Sequence, residues 1–319
     1  MKNKNLIIIL VFSLLAISAF GADGDGGYAG AFLKVPVEAR PTGMGGAYIG
    51  VSNDAAGQLF NPAGIISIDK TVFSSSYRFM TLDRSLGFLS IVTPARLSSV
   101  IGFSWLYAGY GEVEERDGKI PTGSMISSSE HAFAISFAKL FLPALSIGTK
   151  LNYYHKNIAG INTFTLGFNL GATVFIDSLF RYASMEGRLF NDITAGVVFS
   201  NIAAKYSWDQ EATGLNRAAD DIFPRKLGFG ISGKTLDRKL LLAADLEKNF
   251  EQSMIFRIGG EYLVHKTFLV RTGLNDGIFT AGLGFKFQLK RLSMAIDYAF
   301  SDDRVGEGED HIFSLNINF

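Results

Sequence analysis

Four histidines, no cysteine and a scatter of carboxylates are the raw material for chemistry in this chain. His131, His155, His265 and His311 stand far apart, without the spacing of a metal site, and no thiolate can join them. The sequence therefore calls for no metal and no cofactor. One pair could do nucleophilic work. Ser129 and His131 are two residues apart, so an extended strand puts them on one face with Phe133 and Ile135. An imidazole so placed can take a serine's proton, as in lipases that work on a lipid-facing surface. No Asn or Asp can be assigned to orient the histidine, and Ser127 to Ser129 also reads as an ordinary polar rim. A glycine cluster, Gly43, Gly45, Gly46 and Gly50, invites comparison with a phosphate loop. Its spacing fails the G-x-G-x-x-G pattern because Tyr48 occupies the last position, and no strand–helix–strand context surrounds it.

A second constellation is electrostatic. Asp245, Arg257, Arg271, Lys286 and Asp297 fall one to a segment on five consecutive alternating stretches, each on the polar face. They would face one another or whatever fills the space they enclose. Two readings stand: a constriction that selects solutes, or an ion-paired network that holds wall and filling together. Burial without pairing is costly, so opposite charges should meet.

The elements that position these residues are strands. From about Lys70 onward, polar and apolar residues alternate with a period of two. Phe279, Ala281, Leu283, Phe285 and Phe287 oppose Thr280, Gly282, Gly284, Lys286 and Gln288. Phe164, Leu166, Phe168 and Leu170 oppose Thr165, Gly167, Asn169 and Gly171. About fourteen such segments are expected, at 70–80, 84–94, 99–108, 128–139, 144–156, 162–175, 191–202, 223–234, 238–248, 252–264, 266–275, 277–288, 290–301 and 310–319. Each approaches the length at which a tilted strand crosses a bilayer. The polar faces suit a lumen and the apolar faces suit lipid, which offers no hydrogen-bond partner and so requires a closed sheet.

The expected fold is all-β: a transmembrane antiparallel barrel of about fourteen strands. The long connections 109–127, 203–222 and 302–309 then fall on one side, the extracellular one, and most opposite turns are short. Residues 176–190 are the exception, a long periplasmic connection with room for a helical turn. The acidic residues of the outer loops, Glu112, Glu114, Glu115, Asp302, Asp303, Glu307 and Glu309, read as solvated surface.

The ends of the chain are distinctive. Residues 1–21 have Lys2 and Lys4, an apolar run from Leu6 to Phe20 and small residues beyond it, the pattern of a secretory signal peptide. Phe313, Leu315, Ile317 and Phe319 alternate with Ser314, Asn316 and Asn318, so the last strand ends on an outward aromatic. That pattern resembles the signal read by the outer-membrane barrel-assembly machinery. Equal numbers of acidic and basic residues, 30 each, argue against nucleic acid as a partner.

Residues 22–68 do not alternate. They are rich in Gly and Ala yet carry Phe32, Leu33, Val35, Tyr48, Ile49, Leu59 and Phe60, too apolar for a disordered leader. Within them lie Ala39–Arg40 with Gly43, Gly45 and Gly46, then Asn53–Asp54–Ala55, then Asn61–Pro62–Ala63–Gly64. These elements resemble the N-terminal motif of the PorV/PorQ family, which belongs with the FadL-like outer-membrane transporters; beyond them the chain matches in architecture alone. The resemblance implies a fourteen-stranded barrel in the cell outer membrane, with the pre-barrel segment folded into the lumen as a plug. The division expected is thus 1–21 signal peptide, 22–68 plug and 69–319 barrel. It implies FadL-like transport of hydrophobic or amphipathic small molecules, or else a PorV-like role in protein secretion or surface attachment. The partners implied are outer-membrane lipids and the assembly machinery, joined by a small hydrophobic ligand or by secreted proteins.

Overall fold

The computed structural model describes residues 27–179, 188–208, 220–251, 253–302 and 308–319. The signal-peptide reading of residues 1–21 lies outside them. Fourteen antiparallel strands close into a barrel: β1 (Val72–Phe79), β2 (Ser85–Ala95), β3 (Ser99–Asp117), β4 (Ile120–Leu142), β5 (Leu145–Ile158), β6 (Ile161–Phe175), β7 (Asn191–Ile202), then β10 (Lys226–Thr235), β11 (Leu240–Asn249), β12 (Met254–His265), β13 (Phe268–Asn275), β14 (Ile278–Leu289), β15 (Leu292–Asp302) and β16 (Glu309–Asn318). Strands β8 (Lys205–Ser207) and β9 (Asp220–Ile222) form a separate two-stranded sheet. Each barrel strand pairs with its sequence neighbours, and β1 pairs with β16 from Val72↔Asn318 to Phe79↔His311, so no edge is left open.

The alternation sets the faces. Phe164, Leu166, Phe168 and Leu170 are exposed on the outside, while Gly167, Asn169, Gly171 and Thr173 between them are buried inside. The same holds on β14, where Phe279, Leu283 and Phe285 face outward and Thr280, Gly282 and Gly284 inward. A closed sheet with an apolar outer face and a polar interior satisfies every ladder group without water, as a membrane-spanning barrel must. Among the described residues no helix is long and apolar enough to cross a membrane.

One connection at the long-loop rim is itself a tight turn: between β13 and β14, Asp276 and Gly277 both have positive φ, +54° and +86°, the geometry that matches the twist of the flanking strands, and Gly277 adopts it without strain. At the long-loop rim, aromatic side chains gather on the outside. Trp105 stacks on His131 and Phe133, Tyr153 on Phe164, and Tyr298 on His311. Rings with one polar edge suit the boundary between lipid and water.

Two expected loops turn out to be structured. The 109–127 connection is mostly strand, because β3 runs to Asp117 and β4 starts at Ile120, making a ribbon that stands clear of its neighbours. Hydrophobic alternation stops at Glu112, although backbone pairing continues to the turn at Gly118. The 203–222 connection holds β8 and β9, which close over the lumen mouth through Tyr206 and Phe223. The 176–190 connection begins with a helical turn, α3 (Ile176–Leu179), in sequence order after α1 (Ala39–Gly43) and α2 (Gly57–Phe60).

Candidate functional site

Residues 27–71 lie within the barrel and touch nearly its whole inner circumference. The chain folds there because it has little side chain to place: α1 and α2 are single turns, and Gly45 and Gly46 have φ of +64° and +72°. The wall is thinned to receive it. Gly148 pairs with Gly171 across β5 and β6, Gly196 with Gly230 across β7 and β10, and Gly259 with Gly273 across β12 and β13. A Cβ on any of these six would strike the segment's own atoms, at Met44 and Gly45, at Ile49 and Gly50, or at Asn61, Pro62 and Ala63. These glycines sit on the polar faces that the sequence displays, and the cross-strand pairing is the signal that sequence reasoning missed.

On one side the contact is ionic. The Arg40 guanidinium donates to both oxygens of Glu261 at 2.9 Å, and to Asn53 Oδ1 and Asp54 Oδ2 at 2.8 Å. Arg271, almost wholly buried, pairs with Glu261 and with Asp297, each at 2.7 Å. Tyr48 donates its hydroxyl to Asp54 at 2.6 Å. Arg40, Asn53 and Asp54 of the motif are therefore brought together, and Arg271 and Asp297 of the lumen charges meet as opposite charges. The expected facing of all five lumen charges is only partly seen. Asp245 accepts the backbone N–H groups of Tyr48 and Ile49, at 2.6 and 2.8 Å. Arg257 turns to Glu247 at 3.6 Å and Asn275 at 3.1 Å. Lys286 is exposed and makes no ion pair within 4 Å among the described residues, because Glu261 and Asp297 are already held by arginines.

At the closing seam of the barrel, Ser74 donates to Glu38 Oε1 at 2.6 Å and Ser314 Oγ accepts the Ala39 N–H at 2.7 Å. Arg78 reaches the Pro36 carbonyl while paired with Asp310. Burial pushes the Glu38 carboxyl up to about 7, against the lowering effect of the Ser74 hydrogen bond. Opposite the ionic side, Asn61 Nδ2 donates to the Ala172 carbonyl and to Thr173 Oγ1, both at 3.1 Å. Pro62 and Gly64 follow it in a turn, with the Gly64 N–H on the Asn61 carbonyl at 3.0 Å and Ser146 donating to the Ala63 carbonyl at 2.9 Å. Gly43 packs against Gly282 of β14.

Toward the long-loop rim the lumen is apolar: Phe32 of the segment packs with Leu86, Phe88, Leu106, Tyr154, Tyr206 and Phe223 in one buried cluster. Below that cluster lies a cavity of about 90 Å³, lined by Leu33, Leu59, Leu106 and Val198 and by Lys150, Asn169 and Asn201. The β6–β7 ladder slips there, between Phe168 and Leu170, and Asn169 Oδ1 takes the freed Asn201 N–H at 3.1 Å. Lys226 at its edge pairs with Glu247 at 3.3 Å, whereas buried Lys150 makes no ion pair within 4 Å among the described residues. The lining mixes apolar side chains with Lys34, Lys150, Lys226, Arg257 and Glu247, an arrangement that fits binding rather than bond-breaking chemistry.

The outward pair expected for a lipase does not assemble. His131 Nδ1 accepts from Trp105 Nε1 at 3.2 Å, and its ring lies nearly parallel to those of Trp105 and Phe133 in the aromatic girdle. Among the described residues Ser129 makes no hydrogen bond to it. At the end of the last strand, Phe313 and Phe319 are exposed, with Leu315 and Ile317 half-buried between them.

No family model matches the chain, and no curated protein matches it by sequence. Solved structures match it in fold. The P. putida toluene transporter TodX aligns at 12% identity over 88% of this chain and 98% of its own, with a TM-score of 0.63. A Pseudomonas aeruginosa FadL homologue aligns at 14% over 92% and 99%, TM-score 0.57, and the CymD monoaromatic hydrocarbon channel at 14% over 89% and 98%, TM-score 0.58. The chain is thus a closed fourteen-stranded antiparallel barrel. More narrowly, its fold is that of the FadL-type barrels; the PorV/PorQ resemblance of the motif is not shown by these comparisons.

Proposed function

We propose that the protein is an outer-membrane channel that admits hydrophobic or amphipathic small molecules, with residues 27–71 as a plug in its lumen. The observation that carries the reading is the cavity beside the apolar upper lumen, lined by Leu33, Leu59, Leu106 and Val198 together with Lys150, Asn169, Asn201 and the ion-paired Lys226, Glu247 and Arg257. Buried clefts of that composition bind small ligands whose polar end is fixed by a few groups. The fold shared with TodX and CymD, a toluene transporter and a monoaromatic hydrocarbon channel, points the same way. On this reading residues 1–21 are the export signal, Phe313 to Phe319 the assembly address, and the rim with β8 and β9 faces outward. Arg40, Asn53 and Asp54 anchor the plug, and Asn61, Pro62 and Gly64 shape its return to the wall. The secretion role has no comparable observation behind it, and the geometry of His131 disfavours the lipase.

Reconstitution into liposomes tests the reading. Labelled monoaromatic and amphipathic tracers should enter saturably and faster than into protein-free liposomes. Entry at the protein-free rate for every tracer would overturn it.

A further inference from the structure

The upper cavity is matched by a second one at the short-turn rim, of about 330 Å³ and lined by Val51, Asn53, Thr194, Ser232, Lys234 and Leu241. The two share no lining residue, yet they lie on the same strands. Along β7 the upper cavity takes Val198 and the lower takes Thr194; along β10 they take Gly228 and Ser232. Only the layer of Gly196 and Gly230, which are register partners, lies between them. The object that fills this layer is the turn at Ile49, Gly50 and Val51, with Ile49 lining the upper cavity and Val51 the lower.

We propose that the route through the barrel runs along Gly196 and Gly230, and that the Ile49–Gly50–Val51 turn is its gate. The inference rests on the transport reading and adds to it where the passage lies and what closes it. The turn presses on bare backbone: a Cβ at Gly196 would meet the Ile49 carbonyl, and one at Gly230 the Gly50 nitrogen. It is held by few bonds, most of them neutral. Thr194 and Ser232 both donate to the Gly50 carbonyl, Asn61 Nδ2 donates to the Ile49 carbonyl at 3.4 Å, and Asp245 holds the Tyr48 and Ile49 N–H groups. The two hydroxyls also touch each other at 2.7 Å, so one can satisfy the other when the carbonyl leaves. Lifting the turn away from Gly196 and Gly230 joins the two cavities without breaking the barrel ladder or any of the Arg40 and Arg271 ion pairs.

Because the chain has no native cysteine, two can be introduced without background. The Ile49 side chain reaches the place a Gly228 Cβ would occupy, so Ile49→Cys with Gly228→Cys can lock the turn to β10. The oxidised double variant, with the bridge verified by thiol titration, should carry tracer at least tenfold more slowly than the same protein after reduction. Unchanged transport in the oxidised form would place the route elsewhere and overturn the proposal. Thr194→Ala with Ser232→Ala tests the gate independently of any ligand, by ion conductance in a planar bilayer. A several-fold rise over the unsubstituted barrel supports the gate, and equal conductance overturns it. If the unsubstituted barrel moves no tracer while the alanine pair conducts, the transport reading fails and the gate stands.

Discussion

The two sides of the lumen hold the same segment by different physics. Toward β12–β15 the grip adds a buried ion-pair network, Arg40 with Glu261 and Asp54, and Arg271 with Glu261 and Asp297, to the glycine contacts at Gly259 and Gly273. Toward β5–β10 it is glycine backbone pressed on backbone, with neutral hydrogen bonds from Asn61, Thr194 and Ser232. Removing one member of a buried pair strands the other charge, so the first side resists displacement. Neutral bonds contribute about 1 kcal/mol each and can be exchanged for others, so the second side is where the segment can move. On the proposed reading, the segment stays attached at the first side and opens at the second.

The largest effect should come from the ionic side. Arg271→Ala leaves Glu261 and Asp297 buried beside one charge fewer and should destabilise the folded barrel by about 3–5 kcal/mol. Denaturant unfolding in detergent measures it; a loss under about 1 kcal/mol would mean that the network is hydrated and the contrast between sides is false.

Next comes the seam, through pH. Glu38 is raised from 4.5 to about 7 in the folded protein, chiefly by burial. A carboxyl with a raised folded value adds stability that is full below about 4.5 and lost as pH rises through 7. Wild type should therefore lose stability across that window by up to about 1.4 kcal/mol per pH unit relative to Glu38→Gln. Parallel curves would show that Glu38 does not set the seam's response.

On the glycine side, Gly148→Val forces a branched side chain onto the backbone of Pro62 and Ala63. A cost of about 1–3 kcal/mol and a rise in solute leak are expected, since the wall cannot yield without breaking its ladder. Stability loss without leak would mean that the segment adjusts in place. The smallest effect belongs to Lys286→Ala, within about 0.5 kcal/mol, because the side chain is exposed and unpaired by ion pairs within 4 Å among the described residues. A larger loss would extend the network to β14.

Much of this was legible beforehand, for identifiable reasons. Period-two alternation locates all fourteen barrel strands, because each shows an apolar face outward and a polar face to the lumen. It fails at 109–127 because the ribbon, exposed on both faces, has no apolar side to display, so Glu112, Glu114 and Glu115 mask its pairing. Asp245, Arg257, Arg271, Lys286 and Asp297 were recognisable as lumen residues by parity alone. Their partners were not, since Arg40 and Glu261 are 221 residues apart and spacing says nothing about contacts across a closed sheet. The glycine pairs stood in plain view on the polar faces but needed the register to become pairs. Lys150 looked like any other charge until the cavity beside it appeared.

Single-channel conductance of the full chain, compared with a chain lacking residues 22–67, tests most directly whether the segment closes the lumen. Folding of the shortened barrel is checked by the different gel mobility of boiled and unboiled protein. The full chain should stay closed and the shortened one should pass ions steadily. Equal conductance from two properly folded barrels would contradict the account.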